Sequence, residues 1–159
     1  MAYYKINSWA NDLNIVLEAE DRELAIRIYS ANIGEAIFNK INRDNPKEFR
    51  VQEVEYKDFT GFANLYLHSD IVPFEILGRR GKRDILVRQM DARLNQGWAP
   101  EFDATRCTNN QTQSWAVTPS DTHFPFEVSM SRDKKSLIYK ASLKMKIQDL
   151  PRKFHDYNF

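Results

Sequence analysis

The chain has 159 residues, 42% of them hydrophobic, 28% charged and 13% aromatic, with a formal net charge of +1. Length and composition suit a single globular domain over 1–159 and exclude a low-complexity or disordered class. One cysteine, Cys107, excludes an internal disulfide framework and implies a reducing, cytoplasmic setting; without a signal-like start or an apolar run of about 18 residues, no membrane segment is expected.

In chain order, residues 13–19 (LNIVLEA) mix alternation with an apolar run and read as a strand. A charged turn at 20–23 follows. Residues 24–30 then place Leu24, Ile26 and Ile28 on one face and Arg27 and Tyr29 on the other, which predicts the second strand of a hairpin. The rival is a helix over 21–41 with Asp21 as N-cap. Its apolar positions scatter around the helical wheel, which favours strand followed by helix. A short helix is predicted over 34–42, ended by the segment that leads to Pro46.

Residues 49–56 and 62–67 read as strands flanking a turn at 57–61. On the second, Ala63, Leu65 and Leu67 face one way and Phe62, Asn64 and Tyr66 the other. Residues 71–77 form a strand that Pro73, lacking a ladder donor, confines to an edge or to its own first positions. The run Gly78-Arg79-Arg80-Gly81-Lys82-Arg83 is a basic loop. It leads to a predicted helix over 85–95, capped by Asp84, striped by Leu86, Met90 and Leu94, and closed by Gly97 and Pro100.

A long polar loop over 99–113 precedes a brief strand at 114–117. Two alternating strands follow, 124–130 and 137–147, joined by a turn at 131–135 as a C-terminal hairpin. The tail after 150 is frayed or docked by its aromatic residues. The fold class expected is α+β: an antiparallel or mixed sheet with two main helices on one face and a C-terminal β-hairpin.

Charge is unevenly spread, −5 over residues 1–75 and +6 over 76–159. Such a chain can present its basic half to an acidic partner or self-associate through opposite halves. Two segments, Ile28-Tyr29-Ser30-Ala31-Asn32-Ile33 and Thr60-Gly61-Phe62-Ala63-Asn64-Leu65-Tyr66-Leu67, resemble the six- and eight-residue signatures of the RNA-recognition-motif family, with Ser30, Thr60 and Asn64 departing from its pattern. The resemblance covers about a quarter of the chain. It implies adjacent strands on which Tyr29 and Phe62 are exposed stacking platforms.

The function expected is therefore binding of single-stranded or flexible nucleic acid by an accessory protein that performs no catalysis. Tyr29, Phe62 and Tyr66 stack on bases, and Arg79, Arg80, Lys82 and Arg83 contact phosphates. Lys140, Lys144 and Lys146 share one strand face and either extend that surface or block edge pairing. The alternative is a protein–protein or assembly module, of a virus or mobile element, that joins acidic and basic halves.

No metal or cofactor is expected, because His68, His123 and His155 lack ligand spacing and no glycine-rich phosphate loop occurs. Cys107 with His123 and Asp121 is the remaining nucleophile–base–orienter combination. Nothing near Cys107 in sequence would lower its thiol pKa, and no catalytic residue is assigned.

Overall fold

A computed structural model describes residues 1–7, 14–44, 49–140 and 143–159. The elements are β1 (Ala2–Asn7), β2 (Asn14–Ala19), α1 (Arg22–Ile33), α2 (Glu35–Asp44), β3 (Arg50–Val54), β4 (Gly61–Tyr66) and β5 (Asp70–Arg80). They continue as β6 (Asp84–Gln89), β7 (Asp91–Leu94), β8 (Phe102–Asp103), β9 (Arg106–Cys107), β10 (Trp115–Thr118), β11 (Phe126–Met130), β12 (Ser136–Lys140), β13 (Leu143–Gln148) and β14 (Phe154–His155). A 3-10 turn, Asn110–Thr112, interrupts the polar stretch predicted as loop.

Six strands pair in the order β12-β13-β4-β5-β6-β11, and β11 returns to β12, so the sheet closes into an antiparallel barrel. This overturns the expected α+β sheet with helices on one face. The barrel interior follows from period-two alternation: Ala63 and Leu65 of β4, Phe74 and Ile76 of β5, Ile85 and Val87 of β6 all point inward and are buried. Closure leaves these strands no free edge along the barrel.

The barrel also forks. Phe126 and Glu127 of β11 pair with Ile15 and Asn14 of β2, whereas Ser129 and Met130 pair with β12. From β2 the sheet runs on through β1 to β3. One face of this extension buries Tyr4, Ile6, Leu17 and Ala19 against Ala25 and Tyr29 of α1. The other face meets the barrel's outer wall, where Val16, Val54 and Leu86 form a smaller core with Tyr3, Tyr56 and Leu77.

Three sequence expectations fail for identifiable reasons. Residues 24–30 are helical: the Asp21 carboxylate accepts from the Leu24 amide at 2.7 Å, and Gly34, at φ 90, separates α1 from α2. Leu24, Ala25, Ile28, Tyr29 and Ile33 form a helical stripe on the core. The Leu24–Ile26–Ile28 alternation merely overlaps it. The predicted helix over 85–95 is instead β6 and β7. Ile85 and Val87 fill the barrel and Leu86 fills the smaller core, so an apolar run buried on both faces mimics a helix. Residues 137–147 are not one strand but two paired ones, with Leu137 opposite Met145.

Pro73 lies inside β5, not at an edge. Its carbonyl accepts from the Met90 amide at 3.0 Å. In an antiparallel ladder the nitrogen and carbonyl of one residue face the same neighbour. The missing donor therefore falls where the β6 ladder ends at Gln89. Farther along, β5 bulges between Ile76 and Gly78. A Cβ on Gly78 would stand 2.8 Å from the Tyr56 Cβ and 3.2 Å from the Lys57 carbonyl oxygen. Gly78→Ala is expected to cost about 1–3 kcal/mol in chemical denaturation, through overpacking of this crossing; an unchanged midpoint would contradict the close approach.

Candidate nucleic-acid interface

Two hairpin turns meet at one end of the barrel, which also holds the start of β4 and the end of β13. The turn at 81–83 joins β5 to β6, and the turn at 131–135 joins β11 to β12. The Met130 amide donates to the Arg83 carbonyl at 2.7 Å and ties them together. Between them lies a notch of about 280 Å³ lined by Lys82, Arg83, Met130, Ser131, Arg132 and Lys134. Lys82, Arg83, Arg132 and Lys134 are all exposed. Among the described residues none of the four cations has an ion-pair partner.

The second turn also carries an acid, Asp133, whose charge is kept within the turn. Asp133 accepts from the Ser131 hydroxyl and, at 3.0 Å, from the Lys135 amide. These bonds, aided by the charges of Lys144 and Lys135, hold its carboxyl below the usual carboxylate range. Lys134 takes a left-handed backbone at φ 60, and the chain then returns into β12.

Beside the notch, residues 55–60 lie across the barrel end. The Lys57 and Arg79 backbones bond each other at 2.8 and 3.0 Å, and Phe59 packs against the barrel core. The Arg79 guanidinium carbon sits 5.5 Å from the Phe59 ring centroid and is exposed on its outer side. An exposed guanidinium anchored by an aromatic ring is a group against which an unstacked base can lie.

Arg80 does not join this group. Its guanidinium donates to Glu127 at 3.1 and 2.8 Å, and it also pairs with Asp84 at 3.4 Å. Glu127, with its side chain only 4% exposed, also accepts from Lys5 at 2.9 Å and from the Tyr56 hydroxyl at 2.7 Å. Burial alone would raise the Glu127 pKa. The bonds from Arg80, Lys5 and Tyr56 outweigh burial and lower it. Burial and the neighbouring carboxylate push the Tyr56 hydroxyl well above its ordinary value, so it remains a donor. Asp84, expected to cap a helix, is a strand residue in this cluster's margin.

The aromatic residues picked from sequence divide. Tyr29 is 1% exposed on α1 and stacks on Phe49 with ring centroids 6.1 Å apart, so it offers no platform. The segment 28–33 is helical, not the strand that the recognition-motif resemblance implied. Phe62 and Tyr66 do share the outer face of β4 and are half-buried. Between them Asn64 is fully buried, held by Gln148 at 2.8 Å, the Leu150 carbonyl at 2.9 Å and the Arg152 amide at 2.8 Å. The Tyr66 hydroxyl donates to Gln148 at 3.0 Å, and the Lys146 ammonium stands 4.6 Å from its ring. The tail thus folds back over β4 and ends as β14 on β5.

Among the described residues no contact joins Cys107 to His123 or Asp121. Cys107 is buried, its thiol donating to Asn109 at 3.3 Å and its amide to Asn158 at 2.6 Å. His123 faces Asp91 at 3.6 Å. His68 packs against Phe159, while Asp70 pairs with His155 at 3.0 Å. Among the described residues no three His, Cys, Asp or Glu side chains gather to hold a metal ion, and no helix is long and apolar enough to cross a membrane.

Arg79, Lys82 and Arg83, named from sequence, lie at this end of the barrel together with Phe59, Arg132 and Lys134, which the sequence reading did not name as site residues. The signal for the last two was present, three cations within 132–135, but nothing in the chain shows that turns fifty residues apart adjoin. Comparison with family models, curated proteins and solved structures finds no match.

Proposed function

We propose that this protein binds single-stranded or flexible nucleic acid at the basic end of its barrel, without performing chemistry. The observation that carries this is the notch where Lys82, Arg83, Arg132 and Lys134 converge from two turns with no ion-pair partner among the described residues. Unpaired cations in water gain by neutralising a phosphate strand, because binding releases its condensed counterions. Arg79 on Phe59 supplies an adjoining surface for one base, replacing the platform first assigned to Tyr29 and Phe62.

Capture is electrostatic and stacking follows. With about four phosphates neutralised, affinity for a labelled single strand falls roughly 50-fold between 50 and 200 mM salt, taking about 0.7 per phosphate as the slope. Fluorescence anisotropy at the two concentrations tests this. Affinity that is flat with salt, or no binding at 50 mM, sinks the proposal.

A further inference from the structure

We infer that the bound strand leaves the notch and turns down the outer wall of β13 over Lys146 and Lys144, so the site takes a sharply bent single strand and rejects a duplex. This path rests on the nucleic-acid function proposed above. Lys146 pairs with Ser136, the first residue of β12, directly after the basic turn. The Ile147 amide donates to the Lys135 carbonyl at 3.2 Å, which fixes the end of β13 against that turn. Lys144 lies two residues farther from the rim on the same face, about 6.6–6.8 Å along the strand. Both lysines are exposed.

Among the described residues neither lysine forms an ion pair, and the acid that acts on Lys144 is Asp133 of the basic turn, whose carboxyl it helps to lower. In register, Lys146 is flanked by Ser136 and Asn64, and Lys144 by Ile138, none of them acidic. Tyr66 holds the Lys146 ammonium at 4.6 Å from its ring, a contact that positions the charge and leaves it intact. The notch occupies the barrel's end and the lysines its side wall, so a ligand touching both turns a corner within a few nucleotides. A duplex, with a persistence length of about 150 base pairs, pays heavily for that bend, and a single strand does not.

The test uses the full chain at 50 mM salt with oligothymidylates of four and twelve nucleotides, a twelve-base-pair duplex and polyglutamate. For the unaltered protein, the twelve-nucleotide strand is expected to bind at least tenfold tighter than the four-nucleotide strand and than the duplex. K144Q/K146Q keeps the four-nucleotide affinity within twofold, loses the gain with length, and lowers the salt slope by about 1.4, at about 0.7 per phosphate. An undiminished gain in K144Q/K146Q overturns the path and leaves the notch standing. Equal binding of duplex, or of polyglutamate, also overturns it, the latter in favour of an acidic peptide. Failure of the unaltered protein to bind the four-nucleotide strand removes the notch and the path together.

Discussion

Replacing Glu127 by alanine is expected to destabilise the protein by about 3–5 kcal/mol, the cost of breaking a buried pair by deleting one partner. Glu127 stands on β11 at the fork, where Lys5 of β1, Tyr56 and Arg80 of β5 converge on its carboxylate. Its removal strands the Lys5 ammonium, 15% exposed, and unpairs the half-buried Tyr56 hydroxyl. Arg80, with its side chain 34% exposed, recovers some water, which pulls the value toward the lower end. Among the described residues no buried side-chain nitrogen or oxygen lacks a partner, so this cost is not already present in the fold. Urea denaturation measures it, and a loss below about 0.5 kcal/mol, the level of an ordinary surface change, would contradict the account.

The same cluster gives a pH dependence of defined sign. The Glu127 carboxyl is lowered in the folded state, so the folded state binds its proton less readily than the unfolded one. The stabilisation is complete above the ordinary glutamate range and is lost as pH falls through the depressed folded value. Glu127→Gln is expected to remove that portion of acid sensitivity while retaining much of the shape.

Reversing one cation from each turn, as R83E with R132E, is expected to weaken single-strand binding by about 100-fold or more at 50 mM salt, since each change deletes a phosphate contact and adds repulsion. Both side chains are exposed, so the fold carries little of the effect. Each single reversal should already affect the other's contribution, because both turns line one notch. Strictly additive effects, or a loss under threefold, would indicate two unrelated surface charges.

The strands whose faces differ in polarity were legible. On β4, Ala63 and Leu65 fill the barrel while Phe62, Asn64 and Tyr66 lie outside, as alternation requires, and the turn at 131–135 reverses the chain as its composition predicts. Where burial is two-sided, the pattern misleads. Ile85, Leu86 and Val87 are all fully buried, and the spacing of Leu86, Met90 and Leu94 then imitates a helical stripe. Conversely, α1 hides its helix because Ile26 lies off the stripe formed by Leu24, Ala25, Ile28 and Tyr29.

The candidate site was legible in one half. The run Gly78–Arg83 holds four cations, but only 81–83 is a turn, since Gly78, Arg79 and Arg80 belong to β5, and which cation faces solvent depends on a partner from elsewhere. Glu127 withdraws Arg80, and Phe59 presents Arg79. Neither choice is written in the local sequence. Tyr29 shows the opposite limit: an aromatic within a family-like hexapeptide, fixed instead by Asp21 capping the helix that buries it.

Salt titration of two matched variants tests the site most directly. One neutralises Lys82, Arg83, Arg132 and Lys134; the other neutralises Arg27, Lys40, Arg93 and Arg106, also exposed but not lining the notch. The two carry the same net charge. The first should flatten the dependence of log affinity on log salt by about 2.8, four contacts at about 0.7 each, and the second should leave it nearly unchanged. Equal flattening in both would mean that the protein's overall charge, and not this end of the barrel, draws the strand.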